Sequence, residues 1–271
     1  MTVGRRSNGV QPLAAALAAL QACIAEVAPK RDTPSSLAPG WERSADFAGS
    51  APCIECHEEA YRAWSGSHHD LAMQVAAEDT VLGDFDEAVF THLGVTSRFY
   101  QRDGEFFVQT EGPNGELAEF EIIYTFGVEN LQQYLIGLPG GRLQALGIAW
   151  DTRPGEQGGG RWFHLYPDEQ IAPGDPLHWT GRYQVWNAMC AECHSTNLQE
   201  RYDPDSDSYT TTWDEIDVSC ETCHGPGKAH VEWAEEAKRL DIPASGDHRL
   251  LVDFKTGDSH YEVDVCAPCH S

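Results

Sequence analysis

Cys220-Glu221-Thr222-Cys223-His224 is the stretch from which the rest of the chain can be read. The same pattern, two cysteines separated by two residues with a histidine directly after, recurs at Cys53-Ile54-Glu55-Cys56-His57, Cys190-Ala191-Glu192-Cys193-His194 and Cys266-Ala267-Pro268-Cys269-His270. Two thiols three positions apart on a helical turn reach the two vinyl groups along one edge of a porphyrin and form thioethers. The next residue, a histidine, then lies beneath the iron as an axial ligand. Zinc has no use for a histidine after every cysteine pair. A disulfide framework would not repeat that histidine either, and a thioredoxin-like pair comes singly within an alternating strand and helix pattern that is absent here. Cys53, Cys56, Cys190, Cys193, Cys220, Cys223, Cys266 and Cys269 therefore read as the attachment points of four covalently bound haem c groups. His57, His194, His224 and His270 read as the first axial ligand of each iron.

Outward from the motifs, the spacing is uneven. Residues 58–189 separate the first motif from the second, and the other three crowd into residues 190–270. So short a segment cannot bury a normal core, so porphyrins must supply much of its apolar interior. The long interval has no cysteine and reads as strands. Arg102-Asp103-Gly104 and Pro113-Asn114-Gly115 are turn signals, residues 117–126 alternate apolar with polar, residues 131–136 and 143–150 flank Pro139-Gly140-Gly141, and residues 161–165 give a last strand. The expected fold class is α+β: a haem-packed, helical and irregular body carrying an inserted small antiparallel β-sheet module. The expected division is a signal peptide or lipoprotein leader at 1–28, a linker at 29–48, a first haem segment at 49–80, the β insertion at 81–170 and a three-haem segment at 171–271.

The leader rests on Arg5 and Arg6 followed by an apolar run from Leu13 to Leu20, too short to span a bilayer. Cys23 is the one cysteine outside the motifs. Leu20-Gln21-Ala22-Cys23 is similar to a bacterial lipoprotein cleavage box, so Cys23 is a candidate lipid anchor and the only expected link to a membrane. The alternative is a small apolar residue in a leader that is removed. Either way the expected location is periplasmic or otherwise extracytoplasmic. A formal charge of −25 spread along 271 residues argues against nucleic acid; its plain reading is solubility, and its functional reading is the steering of a basic redox partner.

Eight further histidines stand available as second axial ligands. His68 and His69 follow the first motif in an expected helical stretch, where only one of two neighbours can face a given porphyrin. His230 closes Cys223-His224-Gly225-Pro226-Gly227-Lys228-Ala229-His230, where the Gly-Pro-Gly turn starts a new helix at a haem edge. His164 and His178 lie among Trp162, Phe163, Tyr166 and Trp179, where ligation and simple packing are both open. His92, in Phe90-Thr91-His92-Leu93-Gly94, is expected in a surface turn before a strand.

With these residues in view, the chain from Gly49 onward resembles the exported multihaem cytochromes with a cytochrome c-552/4 type domain, many of which continue into C-terminal tetratricopeptide repeats. The resemblance is carried by residues 64–73, Tyr124-Thr125-Phe126-Gly127, residues 139–144, Arg161-Trp162-Phe163-His164-Leu165-Tyr166-Pro167, residues 189–197 and residues 220–230. It implies that His69 and His230 are distal haem ligands and that His68 is not. Relatives run on past a fourth motif whereas this chain stops at Ser271, which implies the front part of a longer protein and leaves at least one sixth ligand unassigned. The expected function is electron transfer through closely spaced haems, in an electron carrier more than an enzyme. Two alternatives stay open: a redox enzyme with one open haem acting on a small nitrogen compound, and a docking module of a larger cytochrome assembly.

Overall fold

A computed structural model describes residues 1, 46–243, 246–255 and 257–270. The expected leader, Cys23 and nearly all of the linker lie outside the described residues. Everything below belongs to the compact unit Thr33–Ser271.

One antiparallel sheet dominates. Its strands are β1 (Met73–Val75), β2 (Ala88–His92), β3 (Val95–Arg102), β4 (Glu105–Glu111), β5 (Leu117–Phe126), β6 (Leu131–Leu138), β7 (Arg142–Ala145), β8 (Ile148–Asp151) and β9 (Arg161–His164). The order is β2-β3-β4-β5-β6-β8-β9, with β1 added to β5 and β7 to β6. The turn chemistry is local. Asp103 and Gly104 both have positive φ, 56° and 86°, as a two-residue hairpin turn requires, and Arg102 pairs with Glu105 across it.

The expectation of a small module is corrected here: the sheet has nine strands among the described residues and curls into a barrel-like form. β1 and β2 were missed because each is short and neither is bounded by a strong turn signal. The run 143–150 is two strands, since Leu146 still bonds to β6 (N–H to Tyr134 O, 3.0 Å) while Gly147 accepts from Leu165 beyond β9. The expected surface turn at His92 is also corrected. His92 ends β2 and its ring stacks on His164 of β9 at 4.1 Å, bringing the first and last strands together.

Aromatic side chains fill the interior. Phe85 meets Phe99, Phe106, Tyr134 and Trp162 edge-on, and Phe99 stacks on Trp162 at 3.7 Å. Around them lie Val108, Ile122, Ile136, Leu146, Ile148 and Trp179. A second apolar cluster joins sheet residues Met73, Tyr124, Phe126, Leu135, Leu143 and Ala145 to Trp186, Ala191 and Ile216. Through it the second motif is seated on the sheet.

The helices are α1 (Ser50–Cys56), α2 (Glu58–Trp64), α3 (Trp186–Met189), α4 (Ala191–His194), α5 (Cys220–His224), α6 (Lys228–Leu240) and α7 (Ser259–Cys266), and a small hairpin, β10 (Tyr202–Asp203) with β11 (Ser208–Tyr209), lies between α4 and α5. The helical stretch expected through His69 is corrected: α2 ends at Trp64, Gly66 takes φ +77°, and residues 65–72 form successive turns. Among the described residues no helix is long and apolar enough to cross a membrane.

Candidate haem centre

Each motif sits on its own helical turn. Motif one runs along α1 with His57 closing that helix, motif two spans the join of α3 and α4, motif three is α5, and motif four leaves the end of α7 in a turn whose His270 N–H reaches Cys266 O at 3.0 Å. Asp258 caps α7 by accepting from the backbone of His260 and Tyr261, both at 3.1 Å.

All eight motif cysteines are free thiols, and they meet across motifs. Cys53 of motif one hydrogen-bonds Cys220 of motif three, which with burial pushes the Cys53 thiol well above its ordinary range and draws Cys220 down. Cys193 of motif two hydrogen-bonds Cys269 of motif four, whose thiol is raised by burial first and by that bond second. Burial, and then the nearby Cys266, raises Cys223. Four motifs spread over more than 200 residues of sequence thus converge on one cluster.

The histidines are arranged in pairs. The rings of His57 and His230 lie 6.1 Å apart at 25°, and those of His69 and His270 lie 5.9 Å apart. Two axial metal–nitrogen bonds of about 2 Å each, plus the depth of two imidazoles, place ring centroids about 6 Å apart, so both pairs have the separation of two axial ligands on one iron. Burial, and second the nearby His230, lowers the basicity of His57. That favours the neutral imidazole a metal needs.

The outer nitrogens strengthen the fit. Nδ1 of His194 bonds Ala72 O (3.0 Å), Nδ1 of His224 bonds Val252 O (3.1 Å), and Nδ1 of His230 bonds His248 O (2.7 Å). A carbonyl oxygen only accepts, so each Nδ1 carries the proton and each Nε2 is left as the donor to iron, the arrangement metal-bound histidines use. Phe126 stands edge-on to His194, Phe254 edge-on to His224, and Trp233 against His230. The residues present fit haem at these turns. A bound haem supplies one-electron chemistry at iron, and the chain supplies attachment, axial nitrogens and their orientation.

Other candidates lie elsewhere. His164 and His178 line, with His92, a cavity of about 370 Å³ beside the seam of the sheet, and no motif residue lines it. Burial lowers the basicity of both. His68 is exposed and pairs with Glu129 at 2.9 Å. Sequence reasoning missed the carbonyls of Ala72, Val252 and His248, which no side-chain pattern marks. It also missed Glu215 and Glu221, whose carboxylates accept from backbone at the start of α1.

The family model described as cytochrome c554 and c-prime matches residues 52–86 and 177–225, which contain the first three motifs. The unmatched interval between them holds β2 to β9. Among solved structures, the chain is similar to the outer cell wall cytochrome OcwA, at 20% identity over 83% of this chain and 37% of that one, with a TM-score of 0.48. It is also similar to the undecaheme cytochrome from the S-layer of Carboxydothermus ferrireducens, at 18% identity over 71% of this chain and 23% of that one, with a TM-score of 0.39. The chain therefore spans well under half the length of either. No curated protein matches it. Repeated attachment motifs, imidazoles poised in the metal-binding tautomer and the family match define the class: the chain is a multihaem c-type cytochrome.

Proposed function

We propose that the chain is an exported tetrahaem cytochrome that passes electrons between four closely spaced haems. The observation that carries this reading is the convergence of the motifs: Cys53 meets Cys220, Cys223 lies in electrostatic reach of Cys266, and Cys269 meets Cys193. Haems held by these thiols would neighbour one another in the order one, three, four, two, which differs from the order of their motifs in the sequence. His57 and His230 would hold the first haem, and His270 and His69 the fourth. Two-histidine ligation keeps an iron low-spin and closed to small molecules, which suits a carrier.

The sheet is an insertion that braces this wire. Its end presents Ala72 and Phe126 to His194, and the coincidence of β2 to β9 with the gap in the family match supports the insertion. The negative charge of the chain favours a basic redox partner at low ionic strength, and the Arg5–Cys23 stretch favours export with Cys23 as an anchor.

Mass spectrometry of protein matured with an export signal tests the count: four haem masses retained after denaturation are expected, and three or fewer overturn it. Low-temperature spin resonance of the oxidised protein tests the ligation, because low-spin haems one and four are required.

A further inference from the structure

Glu221 sits inside motif three, yet its side chain does nothing for its own motif. It is buried, with 3% of its surface exposed, and both carboxylate oxygens are turned onto the backbone of distant segments. Oε1 accepts from Ala48 N–H at 2.8 Å and from Gly227 N–H at 2.7 Å, and Oε2 accepts from Gly49 N–H at 2.7 Å. Gly49 immediately precedes α1, the helix that His57 caps at its C-terminal end. Gly227 immediately precedes α6, whose third residue is His230. One carboxylate therefore holds the roots of the two segments that carry the facing imidazoles 6.1 Å apart.

The neighbourhood is built to keep that geometry. Gly49 has φ +77° and Gly225 φ +76°, conformations that favour glycine, and a Cβ on Gly225 would lie 2.9 Å from the Cβ of Leu251. A Cβ on Gly227 would lie 3.1 Å from Glu221 Oε1, so the close approach of backbone to carboxylate also needs the small residue. Lys228 N–H reaches Asp46 O at 3.2 Å, a second tie between the same two segments, and Glu215 takes the next donors along, from Ser50 N–H (3.2 Å) and Ser50 Oγ–H (2.9 Å). Buried backbone donors left without an acceptor are costly, so losing Glu221 frees three of them at once and releases both segments.

We propose that Glu221 is a positioning residue that sets His57 and His230 on opposite faces of one iron. This rests on the reading above that those two histidines share a haem. The test uses the mature protein with four haems and reads spin state. Glu221→Ala converts one haem of four to high-spin, and Glu221→Gln, which keeps an acceptor oxygen of the same reach, restores much of the low-spin signal. The double variant Glu221→Ala with His230→Ala still shows one high-spin haem, because both changes act on the same iron. Two high-spin haems in the double variant, or none in Glu221→Ala, overturn the proposal while a single high-spin haem in His230→Ala leaves the shared-iron reading intact. No high-spin haem in His230→Ala overturns that reading, and the role of Glu221 with it. If Glu221→Ala does not accumulate, Glu221→Asp, whose shorter side chain cannot reach all three donors, decides instead: high-spin character in the haem that His230→Ala converts supports the role, and an unchanged spectrum overturns it.

Discussion

Phe99, Tyr134, Leu135 and Ile136 have no exposed surface in the sheet, whereas α6 and α7 contain no buried residue at all. The two regions of this molecule reach order by different routes. The sheet folds around aromatic and branched side chains that touch each other, so its stability is written in protein–protein contacts. In the segment after α5 no described hydrophobic side chain is fully buried, and Leu240, Ile242, Leu251 and Val263 are exposed. What that segment offers instead is histidines, cysteines and backbone carbonyls placed to hold a haem. The comparison teaches that one chain can carry a conventional core and a cofactor-dependent one, coupled through the cluster at Trp186 and Ala191.

The sharpest way to break the comparison is to withhold haem. In protein made without haem maturation, amides of β3 to β6 should keep strong hydrogen-exchange protection while those of α6 and α7 exchange as an unfolded chain does. Equal protection in both regions would erase the distinction. Next in size, Phe99→Ala should cost the sheet about 3–5 kcal/mol, read by denaturant unfolding through tryptophan fluorescence. The haem absorption spectrum of the folded variant should not change, because Phe99 packs on Trp162 and not on a motif.

A narrower effect separates the two histidine pairs. His69→Ala and His230→Ala should each turn a different haem high-spin and leave the others as they were, so the double variant shows two. Unfolding of the sheet should be unaffected by either change. The smallest expected effect comes from His164 and His178, whose basicity burial lowers. Their unfolded counterparts take protons near pH 6.5 and the folded ones resist, so the unfolded state binds more protons as the pH falls below that value. Sheet stability should be at its full value above about pH 6.5 and decline toward pH 5, measured as a falling unfolding midpoint. A midpoint that rises on acidification would contradict the burial of these rings.

Much of this was legible in the residues alone, and the reason is distance along the chain. Covalent haem attachment needs only five consecutive residues, so every motif could be read. The Asp103-Gly104 turn and the alternation of β5 are equally local. The resemblance carried His69 and His230 as distal ligands but not their irons. Sequence reading undercounted the sheet, because β1 gains its strand character from pairing with β5, more than 40 residues later, and extended His68 and His69 into a helix that Gly66 stops.

The sequence alone carried the chemistry: Cys-x-x-Cys-His motifs with the spacing of covalent haem attachment, each with a histidine in place to serve as a first axial ligand. Only the tertiary structure decided the partnerships. His57 faces His230 across 173 residues, His69 faces His270 across 201, and Glu221 meets Ala48 across 173. Pairings at such separations follow from how the sheet, the turns and the buried carboxylate close long loops in space. No local period or spacing encodes them, since the residues that meet share no segment of chain.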